Sequence, residues 1–176
     1  NPSGKLTMSF PRNVGQVPVY YNFKNTGRPS TSIEQVTNSG YADVENSPLY
    51  AFGYGLSYTE FTYSDFEISS DSMTKDSKIN VSVKVTNTGK YKGEEVVQLY
   101  LRDIVGSIAR PMKELKGFEK IELSPGESKN LNFEIDNSLL EFYTYNNIWE
   151  SEPGKFHVFI GTDSNVSDYK EFYLVD

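Results

Sequence analysis

The sequence predicts an all-β chain built around a sandwich of about seven strands. Three observations carry this reading. From residue 61 onward, apolar residues recur at every second position in short runs, which is the period of a half-buried strand. Turn residues separate these runs at roughly ten-residue spacing, as in sandwich folds. No long stretch repeats its apolar residues with the period of a helix. Together these describe an immunoglobulin- or fibronectin type III-like β-sandwich, with an extended segment ahead of it.

The run 61–69 supplies the first strand, with Phe66 and Ile68 as core candidates. In 78–88, Ile79, Val81, Val83 and Val85 alternate with Asn80, Ser82, Lys84 and Thr86, and Asn87-Thr88-Gly89-Lys90 ends the run with turn chemistry. In 95–102, Val97, Leu99 and Leu101 share one face, and Val96, Gln98 and Tyr100 share the other. Apolar character on both faces marks a central strand. Over 113–123 the expected inward residues are Leu115, Phe118, Ile121 and Leu123, and their uneven spacing around Gly117 suggests a bulge or bend. After the Pro125-Gly126 turn, Leu131, Phe133 and Ile135 alternate. Ser138 to Phe142 reads as one helical turn, capped by Asn137 or Ser138. The Pro153-Gly154 turn then leads to Phe156, Val158 and Ile160, and finally to Phe172 and Leu174.

The first sixty residues differ. Leu6, Met8 and Phe10 suggest a short strand that meets Pro11. Val17, Val19 and Tyr21 suggest a second, with Pro18 placing it at an edge or a strand start. Residues 25–47 have linker composition, rich in Gly, Ser, Thr and Asn. Two isolated strands and a loop cannot bury enough apolar area to stand alone. Residues 1–47 are therefore expected to belong with a neighbouring domain and its linker. Asn1-Pro2-Ser3-Gly4-Lys5 reads as the middle of a longer chain. Residues 48–60 form an aromatic connector through Tyr50, Phe52, Tyr54, Leu56 and Tyr58, and residues 61–176 form the sandwich.

Composition narrows the function. The formal net charge is -7, which argues against nucleic acid, because phosphate binding needs clustered Lys and Arg. There is no cysteine and one histidine, so no Cys- or His-rich metal site is expected, and no cofactor. No apolar run is long enough for a membrane-spanning helix. The carboxylates Glu94, Glu95, Asp103, Glu119, Glu122, Asp136, Glu150 and Glu152 are expected to form a solvated acidic surface. His157 lies between Phe156 and Val158 and should face solvent or an edge, and no triad or His-x-x-x-His context surrounds it. Gly53-Tyr54-Gly55 lacks the strand-to-helix setting of a phosphate loop and fits a tight crossover beneath aromatic rings. Asp163, Asn165 and Asp168 lack the Gly and closing Glu of a calcium loop and fit an acidic turn. Asn80-Val81-Ser82 and Asn165-Val166-Ser167 match the glycosylation triplet, which chance alone often produces.

Several motifs then fall in order along the chain. They are Lys5-Leu6-Thr7-Met8-Ser9-Phe10-Pro11-Arg12, Val14-Gly15-Gln16-Val17-Pro18-Val19-Tyr20-Tyr21-Asn22 and Lys24-Asn25-Thr26-Gly27-Arg28-Pro29. Next comes Pro48-Leu49-Tyr50-Ala51-Phe52-Gly53-Tyr54-Gly55-Leu56-Ser57-Tyr58-Thr59. Val97-Gln98-Leu99-Tyr100-Leu101, Arg110 to Phe118, Leu123 to Glu127 and Glu152-Pro153-Gly154 complete the set. This series resembles the C-terminal part of glycoside hydrolase family 3 β-glucosidases. The earlier motifs resemble the end of that family's α/β sandwich domain, and the later ones its fibronectin type III-like domain. Ala51 stands where the family usually has Pro.

The resemblance implies a parent enzyme that removes terminal β-D-glucosyl residues from oligosaccharides with retention. Retention uses two carboxyl groups about 5 Å apart. The resemblance places the nucleophile in an upstream barrel and the acid/base earlier in the α/β domain, so no catalytic residue is assigned here. The expected partners are those upstream domains of the same polypeptide and, in the whole enzyme, the oligosaccharide substrate. The family implies a periplasmic or secreted location. Two readings of the chain itself follow: a non-catalytic module that buttresses the catalytic domains, or a carbohydrate-binding module using exposed aromatic rings. Arg12, Arg28, Tyr50, Phe52, Tyr54, Tyr58 and Trp149 are the candidates for interdomain or sugar contacts. Tyr20, Tyr21 and Tyr41 share the aromatic character. Most of these rings cluster in or near the connector, which favours a domain interface over a sugar site.

Overall fold

Strands form where the alternation is cleanest. In the computed structural model, which describes residues 1–25, 40–41 and 43–176, ten strands follow one another. They are β1 (Phe61–Ile68), β2 (Ser72–Met73), β3 (Ile79–Asn87), β4 (Gly93–Asp103), β5 (Glu114–Leu123), β6 (Ser128–Ile135), β7 (Phe142–Tyr143), β8 (Trp149–Glu150), β9 (Gly154–Gly161) and β10 (Lys170–Leu174). The seven longer ones coincide with the seven runs of the sequence. β2, β7 and β8 have two residues each, too few to show a period.

Two sheets face each other. One has the order β1-β3-β6, the other β2-β10-β9-β4-β5, and β7-β8 is a separate small hairpin. Pairing is antiparallel throughout, except that β2 runs parallel to β10. The inward rows of β3, β4, β9 and β10 are the predicted ones. Ile79, Val81, Val83 and Val85 of β3 meet Val97, Leu99 and Leu101 of β4 in one buried cluster, with Phe156, Val158, Ile160, Phe172 and Leu174. Phe156 and Phe172 stack with centroids 5.4 Å apart. At the end of β3, fully buried Asn87 satisfies its whole amide. Its oxygen accepts from the Thr59 hydroxyl at 2.7 Å and the Gly89 N–H at 3.1 Å, and its nitrogen donates to the Tyr91 and Leu123 carbonyls.

β5 carries the expected bulge. Leu99 pairs with Gly117 but Tyr100 pairs with Leu115, so Lys116 is the extra residue. This corrects two assignments. Leu115 shares the outward row of Tyr100, and Phe118 is 67% exposed. Phe118 lies three residues from Ile121, an odd step that crosses to the other face of a strand. The helical turn is a short 3-10 turn over Asn137–Leu139, and its cap is Asp136, not Asn137 or Ser138. The Asn137 side chain is engaged elsewhere, donating to Glu141 and accepting from the Ser151 hydroxyl.

The two strands expected in the first sixty residues do not form. Among the described residues there, only a 3-10 turn at Val14–Gln16 and isolated bridges occur. Leu6 and Phe10 bond to the connector at 2.8 Å: Leu6 N–H to the Tyr54 carbonyl, and Phe10 N–H to the Tyr50 carbonyl. The connector turns between these points, with Tyr54 N–H donating to the Ala51 carbonyl, so the pairing cannot run on as a ladder. Further along, Pro18 has no N–H to offer, and the backbone near Phe23 lies beside Met112, whose N–H donates to the Phe23 carbonyl.

Core and outer positions should respond differently to truncation. Phe156→Ala is expected to lower stability by about 3–5 kcal/mol, whereas Phe118→Ser should change it by about 0.5 kcal/mol or less. Urea unfolding of both variants measures this. A Phe118→Ser loss rivalling that of Phe156→Ala would contradict the bulge register.

Candidate functional site

The outer face of β4 would ordinarily meet water, yet Gln98 and Tyr100 there are 3% and 0% exposed. The N-terminal segment and the connector cover them. Tyr21 meets Tyr100 edge-on with centroids 6.2 Å apart, and Phe52 stacks on Tyr21 at 4.1 Å. The Gln98 amide donates to the Gly53 carbonyl at 3.2 Å and to the Thr162 carbonyl at 2.6 Å, while its oxygen accepts from the Tyr100 hydroxyl. Gly53 itself has φ +83°, and a Cβ there would run into the Gln98 amide. Two demands therefore select glycine: the left-handed backbone and the close approach of a side-chain amide. A tight crossover was expected at this place. The crowding group is the Gln98 amide, not an aromatic ring.

The same segment is bound by a buried ion pair. Glu95, 4% exposed, continues the inward row of Val97 and Leu99. It accepts from Lys5 Nζ at 3.1 Å and from the Tyr63 hydroxyl at 2.9 Å. Burial, followed by the charge of Glu95, pushes the Tyr63 phenol far above its ordinary value. At the other end of β4, Asp103 faces Arg110 at 3.2 Å, and the Arg110 guanidinium lies 3.9 Å above the Phe142 ring. Burial raises the Asp103 pKa, against the opposing pull of Arg110. These two carboxylates were assigned to a solvated surface. They are instead buried partners of cations, because the odd-numbered parity of β4 carries them inward.

Two more groups are covered. The sequence places His157 toward solvent or at an edge, yet β9 is an inner strand of its sheet. Its ring stacks on Tyr169 at 4.0 Å and its Nε2 lies 3.1 Å from Glu171, and burial lowers its pKa despite that carboxylate. Lys113 donates to the carbonyls of Ser164 and Val166 and sits 4.3 Å above the Phe159 ring. Burial, with Asp163 opposing and Arg102 assisting, brings the Lys113 ammonium down to about 8.

The candidate contact residues divide into separate places. Tyr50 stacks on Tyr54 at 5.1 Å and meets Phe10 edge-on, and Phe52 belongs to the Tyr21 stack. Arg12 is tied to Glu45 at 2.8 Å and to the Ser47 carbonyl at 3.0 Å. Tyr58 is 75% exposed, beside Asn1. Trp149 lies on the β7-β8 hairpin, edge-on to Tyr143 at 69°. Arg28 lies outside the described residues. Sequence reading missed Gln98, Glu95, Lys5 and Lys113. For Glu95 the signal was available, since it shares parity with Val97 and Leu99. For Lys5 and Gln98 nothing local marks a partner some 45 to 90 positions away.

Comparison with known proteins places this architecture. A fibronectin type III-like domain model matches residues 95–164. The chain is 56% identical over 165 residues to a periplasmic β-glucosidase of Salmonella typhimurium, covering 93% of this chain and 22% of that protein. It is 42% identical over 178 residues to a β-xylosidase of Formosa agariphila, covering 99% of this chain and 23% of that protein. It superimposes on the crystal structure of a β-glucosidase from Listeria innocua in complex with glucose with a TM-score of 0.91 and 42% identity. That match covers 99% of this chain and 24% of the other. The chain thus spans less than a quarter of the length of each of these relatives.

Gly53→Ala should lower stability more than Gly126→Ala. Both glycines have positive φ, +83° and +78°, but a Cβ at Gly126 meets nothing within 4 Å. Gly126→Ala should show only the backbone strain, about 1–2 kcal/mol, and Gly53→Ala that plus displacement of Gln98. Equal losses in urea unfolding would mean that the Gly53–Gln98 approach contributes nothing.

Lys113 should leave a mark on the pH dependence. Between its folded value of about 8 and its ordinary 10.5, the unfolded chain binds more protons at this residue, so stability rises with pH there. Tyr63 and Tyr100 act oppositely above their ordinary 10.0, because burial raises both. Over pH 8 to 10 the unfolding free energy should therefore climb more steeply for the native chain than for Lys113→Met. Parallel curves for the two proteins would exclude the depressed ammonium.

Proposed function

We propose, for a chain that belongs to the fibronectin type III-like part of the family 3 glycoside hydrolases, a non-catalytic structural role within a β-glucosidase. In this reading residues 1–47 are the end of an α/β domain and its linker, 48–60 the connector, and 61–176 the sandwich. The parent enzyme hydrolyses terminal β-D-glucosyl residues and resides in the periplasm, as the Salmonella relative's description suggests. Among the described residues no helix is long and apolar enough to cross a membrane.

One observation carries this reading. The segment that clasps the sandwich presents its own apolar side chains outward. Met8, Val14, Val17, Tyr20 and Leu56 are 61%, 88%, 63%, 64% and 70% exposed. Residues including Met8, Pro11, Val17, Pro18 and Tyr20 line a groove of about 360 Å³. One face of the segment is already committed to the sandwich, so the other is the natural seat for the upstream domains of the same polypeptide. The two buried carboxylates are held by Lys5 and Arg110, which suits a scaffold more than an acid–base pair. The carbohydrate-binding alternative would rest on Trp149. Its edge-on contact with Tyr143 leaves no shared flat platform for a sugar ring, so the structural role is the better supported.

Two measurements test this. The purified chain should hydrolyse no aryl β-glucoside, and turnover abolished by changing one of its own carboxylates would overturn the reading. Supplied in trans to a β-glucosidase truncated before this region, the chain should restore activity, and substituting Tyr20 and Val17 with Ser should weaken the rescue. Unimpaired rescue by that double variant would remove the proposed docking face.

A further inference from the structure

The outer face of the five-stranded sheet carries a second feature, apart from the clasp. Arg102 of β4 pairs in register with His157 of β9, and Lys113, just before β5, lines the same surface groove and lies close enough to feel the Arg102 charge. The neighbouring row is Tyr100 and Phe159, paired across the same two strands. Like charges set side by side on a sheet face are destabilising. Yet neither Arg102 nor Lys113 forms an ion pair with any described residue, in a chain whose net charge is -7. Elsewhere on this face Lys155 is paired with Glu171 at 3.3 Å, and the His157 ring lies 3.1 Å from the same carboxylate.

The two cations border a groove of about 420 Å³, walled by Tyr21, Phe23, Met112, Phe159 and Tyr169. This volume lies within the usual range of small-molecule sites, about 300–1,000 Å³. Phe23 and Tyr169 line the groove and are 56% and 43% exposed, with one face of Tyr169 covered by the His157 ring. Lys113 uses two of its three N–H donors on carbonyls, leaving one. The guanidinium fork of Arg102 has no acceptor among the described residues and matches a carboxylate in two parallel bonds.

We propose that Arg102 and Lys113 form a binding site for a small organic carboxylate, whose six-membered ring lies against Tyr169 and Phe23. A monoanion fits better than a dianion, because Glu171 and Asp163 flank the two cations and repel a second negative charge. The aromatic walls ask for a ring body, which an acidic sugar or an aryl carboxylate both supply. The site is independent of the proposed scaffold role, since none of its polar groups takes part in the exposed apolar face of the clasp.

The test titrates the full 176-residue chain with glucuronate, benzoate, glucose and inorganic phosphate, following the His157 and Tyr169 ring resonances by NMR. Saturable shifts with glucuronate or benzoate are expected, and the tighter of the two identifies the sugar or the aryl source. Glucose should produce none. Arg102→Gln should weaken the carboxylate about tenfold or more while leaving the melting temperature unchanged or raised, because a like-charged neighbour has gone. Lys113→Gln provides a second variant with the same expectation of weaker binding. Failure of both carboxylates to saturate by about 10 mM would overturn the site. So would equal binding by Arg102→Gln, or phosphate binding more tightly than either carboxylate, which would reduce the feature to bare charge.

Discussion

β4 must be covered on both faces, and the rest of the architecture follows from that requirement. Its inward row builds the core against β3, and its outward residues Gln98 and Tyr100 are as inaccessible as the core itself. A sandwich of two sheets covers only one face of each strand. The second cover comes from outside the sandwich, from the connector and the segment before it. A buried amide without partners would be costly, so the connector has to bring a carbonyl to Gln98 as well as apolar surface to Tyr100. The Gly53 carbonyl and the Tyr21–Phe52 stack meet those two needs side by side.

This explains why the sandwich was legible in the sequence and the clasp was not. A strand with one wet face advertises itself by alternation, as in Ile79 to Val85, and the inward rows follow from parity alone. Parity also carries Glu95 and Asp103 inward. Their charge argues for the surface, but a carboxylate with a waiting cation can hold an inward position. Phe118 is the converse case: it is hydrophobic, yet its place in the register turns it outward. The clasp has no period to read. Leu6 and Phe10 each exchange backbone hydrogen bonds with the connector, but no ladder joins the two places, and the bond from Lys5 to Glu95 spans ninety positions. Nothing local to Lys5 distinguishes it from a surface lysine.

The clasp also accounts for where apolar side chains remain in water. A segment that adds a layer to a finished sheet has an inner and an outer side. Tyr21 and Phe52 occupy the inner side, while Met8, Val14 and Tyr20 stand on the outer. Such a segment transmits contact. Met8 and Val17 line the same groove as Tyr21 and Phe52, and Phe52 adjoins Gly53, whose carbonyl accepts from Gln98 of the central strand.

The distribution of charge separates the clasp from the rest of that face. Where the N-terminal segment and connector lie over the outward face of β4, the polar groups of Gln98 are satisfied, and Lys5 of the same segment is matched to Glu95 of the inward row. A few residues along the same strand, Arg102 has no such match among the described residues, and the nearby carboxylate Glu171 is already shared between His157 and Lys155. One strand thus carries two kinds of outward surface, one closed by its own chain and one left open with aromatic walls. In the closed part the packing and the Gln98 hydrogen bonds agree, while the buried Ser9 hydroxyl has no hydrogen-bond partner among the described residues. The other part sets Arg102 and Lys113 beside aromatic walls without an ion pair to any described residue, and such local departures are where proteins place their binding chemistry.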